Sequence, residues 1–115
     1  MKLWIDDVRP APEGYIWCKS TNEALRAIIE TKQMADKPRM YDCNFSIEVI
    51  DLDHDAGEYV QLGGDYINVL KEMERLYKRY NIDFSHIKIR LHSANPVGVQ
   101  NMRAIIQKNS WKEIQ

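Results

Sequence analysis

The feature that most constrains this chain is a recurring pattern: a short apolar run that stops abruptly at polar, chemistry-bearing residues. Lys2–Ile5 runs into Asp6 and Asp7, Ile47–Leu52 into Asp53, His54 and Asp55, and Ile87–Leu91 into His92, Ser93 and Asn95. Runs this short are of strand length. Tyr15–Cys18, rich in aromatic and β-branched residues, is a further strand after the turn-forming stretch Arg9–Gly14. Helical patterns fill most of the intervals. Ser20 to Glu23 matches a capping box, and Ala24, Leu25, Ile28 and Ile29 follow at helical spacing, which predicts a helix fading near Gln33. Asp65 is the expected N-cap of a helix to Tyr80, with Tyr66, Val69, Leu70, Met73, Leu76, Tyr77 and Tyr80 on one stripe. Pro96 opens a helix over Val97–Lys108, with Met102, Ile105 and Ile106 facing inward. Met34–Ser46 reads as a loop or an irregular extra element.

Strands alternating with helices imply a parallel sheet with right-handed crossovers. The expected fold is α/β, a flavodoxin-like three-layer sandwich with strand order 2-1-3-4, one domain over residues 1–115. A fifth strand could come only from Trp111–Gln115, so little or none is expected. The Lys88 and Arg90 alternation would then mark strand four as an edge. With 115 residues, 44% of them hydrophobic, the chain can bury one small core. The net charge of -1 excludes a generic DNA-coating role. No apolar run approaches the roughly 18 residues of a membrane span. Acids at Asp6 and Asp7 come too early for a secretory signal, and two cysteines fit neither a disulfide framework nor a four-thiolate zinc site. A reduced, cytoplasmic protein is expected. The charge is uneven: Asp42–Asp65 contains Asp42, Glu48, Asp51, Asp53, Asp55, Glu58 and Asp65 and no Lys or Arg.

In an open parallel sheet, ligands bind beyond the carboxyl ends of the strands, where strand order reverses. Strand one brings Asp6, Asp7 and Arg9 to that edge, strand three brings Asp53, His54 and Asp55, and strand four brings His92, Ser93 and Asn95. Carboxylates crowded there repel one another unless a cation compensates. Mg²⁺ held by Asp6, Asp7 and Asp53 is the natural candidate, being a hard ion that takes oxygen ligands. Acids alone at a strand end are equally well read as solvated. His54 and His92 can exchange protons near neutral pH, although a single histidine so placed is more often a packing residue. Arg9 fits a bidentate phosphate clamp or a salt bridge to Asp6, Asp7 or Asp55. Ser93 and Asn95 each fit a phosphate contact or a cap of the last helix. His86 falls at the opposite end of strand four, and the bases of Lys71–Arg79 are read as a solvated face.

Three strings carry a resemblance: Leu3–Pro12, Leu52–Gly57, and His92–Gly98 with Asn101-Met102-Arg103. Together they resemble the cyclic-phosphate-processing receiver-like domain family, a divergent branch of response-regulator receivers. The resemblance implies a receiver-like sandwich that processes or recognises cyclic phosphates of nucleotides, in settings such as RNA repair and nucleotide-signalled phage defence. By the receiver pattern, Asp6 and Asp7 match the acidic pair, Asp53 the phospho-acceptor and Ser93 the hydroxyl. The fifth-strand Lys has no counterpart, which weakens a phospho-switch. Asp51 stands where the family more often has Ser, and an acid there would strengthen cation dependence.

These readings converge on hydrolysis of a cyclic phosphate on a nucleotide or RNA end. His54 and His92 would serve as general base and acid. Asp7 and Asp53, with Asp6, would hold Mg²⁺, or with Asp55 orient the histidines. Arg9, Ser93, Asn95 and Asp55 would contact the substrate. A non-catalytic module that captures a cyclic nucleotide in the same cleft is the alternative. A third reading is a receiver phosphorylated on Asp53.

Overall fold

The computed structural model of the chain describes residues 1–34 and 37–115. In chain order the elements are β1 (Lys2–Ile5), β2 (Tyr15–Cys18), α1 (Thr21–Ile28), β3 (Ile29–Met34), β4 (Lys37–Cys43), β5 (Val49–Leu52), a 3₁₀ turn at Gly57–Tyr59, α2 (Ile67–Tyr80), β6 (Lys88–Leu91), α3 (Pro96–Lys108) and β7 (Lys112–Ile114). β2-β1-β5-β6-β7 form a five-stranded parallel sheet, and β3-β4 form a separate antiparallel hairpin. This is a receiver-like flavodoxin fold with a hairpin inserted after α1.

A fifth strand exists where little or none was expected, and it is short, β7 spanning Lys112–Ile114. Ser110 adopts a left-handed φ of 57° and turns the chain back, and the Trp111 N–H donates to Ile106 O at 3.0 Å. Trp111 then lies buried against Phe84 and Tyr77, which fixes β7 beside β6. β6 is therefore not an edge. Its Lys88 and Arg90 alternate for a different reason: they lie on the sheet face away from the helices.

α1 ends at Ile28 rather than near Gln33. Ile29 is already extended, at φ -112° and ψ 123°, and Asn44, from beyond the hairpin, takes over the helix end. Its N–H donates to Ile28 O at 2.7 Å and its Nδ2 to Ala27 O at 3.1 Å. The stretch expected as an irregular element is largely this hairpin; the part of that expectation on residues 35 and 36 lies outside the described residues. At α2, Tyr66 rather than Asp65 stands at the N-cap and gives no side-chain cap. The Asp65 carboxylate instead accepts from the Ala56 N–H at 2.9 Å.

The core lies on one side of the sheet. Leu3, Ile5, Ile50, Leu52 and Ile89, none more than 1% exposed, meet Val69, Leu70 and Met73 of α2 and Met102 and Ile106 of α3. α1 touches α2 and α2 touches α3 on this side. Tyr77 and Tyr80 end the α2 stripe at the surface. The sandwich is asymmetric because β1 passes to β2 through residues 6–14 without a helix. That loop is clipped down by two indoles, Trp4 Nε1 donating to Arg9 O and Trp17 Nε1 to Asp6 O, both at 2.8 Å. Strand register sets two rows across this second face. Tyr15, Lys2, Val49, Lys88 and Lys112 form one; Trp17, Trp4, Asp51, Arg90 and Ile114 form the other. No helix among the described residues is long and apolar enough to cross a membrane.

Candidate functional site

The carboxyl ends of β1, β5 and β6 carry the polar residues that the sequence places there. Asp6 is fully buried. Its Oδ1 accepts from the Val8 and Arg9 N–H groups at 2.9 Å each, an Asx-type turn that starts the β1–β2 loop. Burial is the largest influence on its carboxyl and opposes ionisation. The two backbone bonds and His92 outweigh it and hold the carboxyl below its ordinary range. Asp7 shifts the other way: burial, then the neighbouring carboxylates Asp6 and Asp53, push it up. Gly57, at φ +54°, lies against the Asp7 carboxylate, where any Cβ would collide with Oδ2. The Asp53 N–H donates to Ile5 O at 2.9 Å, and its Oδ1 accepts from the His54 N–H at 2.8 Å. One carboxylate oxygen from each of Asp6, Asp7 and Asp53 lies within 4.8 Å of the others. This acidic cluster resembles the receiver Mg²⁺ site, and its all-oxygen donors suit a hard divalent cation.

The two histidines are held differently. His92, with a side chain 7% exposed, is gripped at both nitrogens: Nε2 faces Asp6 Oδ2 at 2.8 Å and Nδ1 faces Asp51 Oδ1 at 2.6 Å. Only the imidazolium donates at both positions. Burial alone would lower its pKa, but the bonds from Asp51 and Asp6 prevail and raise it. His54 has one partner, Asp55 Oδ1 at 3.0 Å from Nδ1. Among the described residues its Nε2 has no partner, and it is not one of the buried polar atoms. Its ring lies against Gly98, on the first turn of α3, where a Cβ would stand 2.5 Å from the ring Cγ. His54, Asp55 and Asp65 also bring ligand atoms within 4.8 Å of one another.

Among the described residues Arg9 forms no clamp on a carboxylate; its Nη1 donates to His92 O at 2.9 Å, at the exposed rim. Ser93 Oγ accepts from the Asn95 N–H at 3.1 Å. Asn95 caps α3, accepting from the Gly98 N–H at 3.0 Å, and its Nδ2 points to Asp55 Oδ1 at 3.5 Å. Asp51 lies outside the acidic trio. It is 2% exposed and also accepts from Arg90 Nη1 at 3.0 Å, so its charge is spent on cations of the sheet face. Trp4 is a site residue the sequence reading missed, and Asp51, expected to strengthen cation dependence, instead holds His92 and Arg90. Both sit at alternate strand positions turned away from the core, a signal available from the period of two. The thiols take no part: burial pushes Cys18 up to about 11 and Cys43 to about 12.

An α/β parallel sheet with an acidic pair after β1, an acid after β5 and a hydroxyl after β6 defines a receiver-like domain. The chain belongs to the family described as the cyclic-phosphate processing receiver domain, whose family model matches residues 1–108. No curated protein and no solved structure matches it. The receiver lysine is absent from the site even though β7 exists. Lys112 pairs with Lys88 at the amino end of the sheet, and the strand closes on Ile114.

Proposed function

We propose that this chain hydrolyses cyclic phosphates on nucleotides or RNA ends. The observation that carries this reading is His54: a ring fixed by Asp55 and Gly98, with Nε2 not buried and without a partner among the described residues, on the strand end that also bears Asp53. His54 takes the proton from a water as that water's oxygen bonds to phosphorus. The bond from phosphorus to one ribose oxygen breaks, and that oxygen leaves as a hydroxyl with a proton from solvent. Arg9, Ser93 and Asn95 line the rim and would bind the phosphoryl oxygens. His92, with both nitrogens engaged, is better suited to hold Asp6 in place as a fixed cation than to shuttle protons. Asp6, Asp7 and Asp53 would hold Mg²⁺, which would offset the crowded acids and the charge on the phosphoryl group. Such chemistry would serve RNA repair or the clearing of cyclic-nucleotide signals during phage infection.

The test is incubation with a panel of 2′,3′-cyclic nucleotides, cyclic mononucleotides and cyclic oligonucleotides, with and without Mg²⁺, read by mass spectrometry. Gain of one water by a ligand, lost in His54→Ala with folding intact, is the expected result. Tight binding with recovery of every ligand unchanged would overturn hydrolysis in favour of capture.

A further inference from the structure

Apart from Trp4 and Asp51, the sheet face without helices takes no part in the site. We propose that this face, through the row of Lys2, Lys88 and Lys112 and the rings of Tyr15 and Trp17, binds single-stranded RNA whose cyclic-phosphate end enters the neighbouring site. The inference names the substrate class of the reading above and rests on it for the end of the strand, not for the strand itself.

Charge comes first. The net charge of -1 hides a basic face. Lys2, Lys88 and Lys112 are exposed in one register row, and the Arg90 side chain above them is 41% exposed. The acid in these rows, Asp51, is buried and already bonded to His92 and Arg90. The exposed ammonium groups of Lys2, Lys88 and Lys112 are left to meet an anionic backbone.

The aromatic residues come second. Tyr15 and Trp17 are half-buried on β2, with Lys2 Nζ 5.7 Å and Lys19 Nζ 4.4 Å from the ring centroids. At the lower margin Phe45 is 64% exposed and lies 5.1 Å from the His86 ring. A cavity of about 620 Å³ opens there between Phe45, His86, Tyr15, Lys2 and Lys88; Glu48 also lines it, with its carboxylate 4.0 Å from the N-terminal ammonium. Rings and cations alternating on a β-sheet surface are how proteins hold unpaired bases and the phosphates between them. A row of lysines suits a second protein poorly, since interface centres are depleted in lysine.

Continuity comes third. Trp4 shares the upper row with Trp17 and stacks on His92, which bonds Asp6 of the acidic trio. A strand lying on this face would therefore end at the site. A 2′,3′-cyclic phosphate needs a 2′-hydroxyl, which selects RNA over DNA.

The test uses a fluorescent ten-nucleotide RNA ending in a 3′-hydroxyl, its duplex form, and the double variant Lys88→Glu/Lys112→Glu. Anisotropy should show salt-sensitive binding of the single strand, weakened at least tenfold by the double variant, with the duplex bound less tightly. In parallel, opening of a cyclic-phosphate-ended decamer should be favoured over that of a cyclic mononucleotide, and the double variant should lose that preference while keeping mononucleotide turnover. Single-strand binding that responds to charge reversal without turnover of either substrate would refute the hydrolytic reading and support the face. No binding, equal binding by the double variant, equal binding of the duplex, or a dimer in sedimentation that hides Trp17 would overturn the proposal.

Discussion

The His92 imidazole lies flat on the Trp4 indole, with ring centroids 3.9 Å apart and planes 5° from parallel. His92 thus has a carboxylate at each nitrogen and an electron-rich ring against its face. Each contact favours the cation. Removing the indole should weaken that preference. In Trp4→Leu, the His92 pKa followed by NMR should fall, reflecting the loss of about 1–2 kcal/mol of cation–π attraction. An unchanged titration would mean that the stack carries no charge preference.

The same group sets a pH dependence of stability. The pKa of His92 is raised on folding. Its contribution is therefore whole below about pH 6.5, the unfolded value, and is lost as pH rises through the folded value. Asp6, lowered on folding, acts at the other end: its contribution holds above about pH 3.9 and disappears as pH falls through the folded value. Urea unfolding across pH 3 to 9 should show stability falling at both limits, and His92→Gln should flatten the alkaline limb.

Truncating His92 should cost far more than truncating a surface histidine. His92→Ala leaves Asp6 and Asp51 facing each other's charge in a buried space. Breaking one side of a buried charge network costs about 3–5 kcal/mol. Adding Asp51→Ser to that variant removes one of the stranded carboxylates and should recover part of the loss. A denaturant series on the single and double variants measures both, and additive losses would contradict the coupling.

Gly98 should prove irreplaceable for a steric reason. Its missing side chain is the space that the His54 ring occupies. Gly98→Ala sits in helical backbone, so helix propensity favours alanine there, yet the ring must move. We expect a cost of about 1–3 kcal/mol from overpacking. Cyclic-phosphate turnover should fall more steeply than thermal stability, because His54 loses its alignment.

Metal dependence is open to a direct measurement. Burial, and after it crowding with Asp6 and Asp53, raises Asp7, and a bound cation should offset the crowding. Mg²⁺ should raise the melting temperature of the intact chain, and Asp53→Asn should abolish most of that response. Equal stabilisation of both proteins by Mg²⁺ would place the ion elsewhere.

Much of this was legible in the sequence because strand ends are easy to see. Asp6, Asp7, Asp53, His54 and His92 each follow an apolar run, and a parallel sheet brings such ends together. The hairpin was hidden because Ile28 and Ile29 satisfy helical spacing and strand propensity alike, and the residue that decides between them, Asn44, lies beyond the hairpin. The division between the histidines was hidden too. It depends on Asp51, an acid inside a strand, whose partners Arg90 and His92 are adjacent only after β5 and β6 pair.

The Asn44 contact reaches beyond the static fold. The last two carbonyls of α1 are satisfied by a residue 17 positions further along than Ala27. The terminal turn of that helix therefore gains full protection only when the hairpin has closed behind it, and the two should open as one cooperative unit. Hydrogen exchange at the Asn44 amide should thus report when this part of the chain locks during folding.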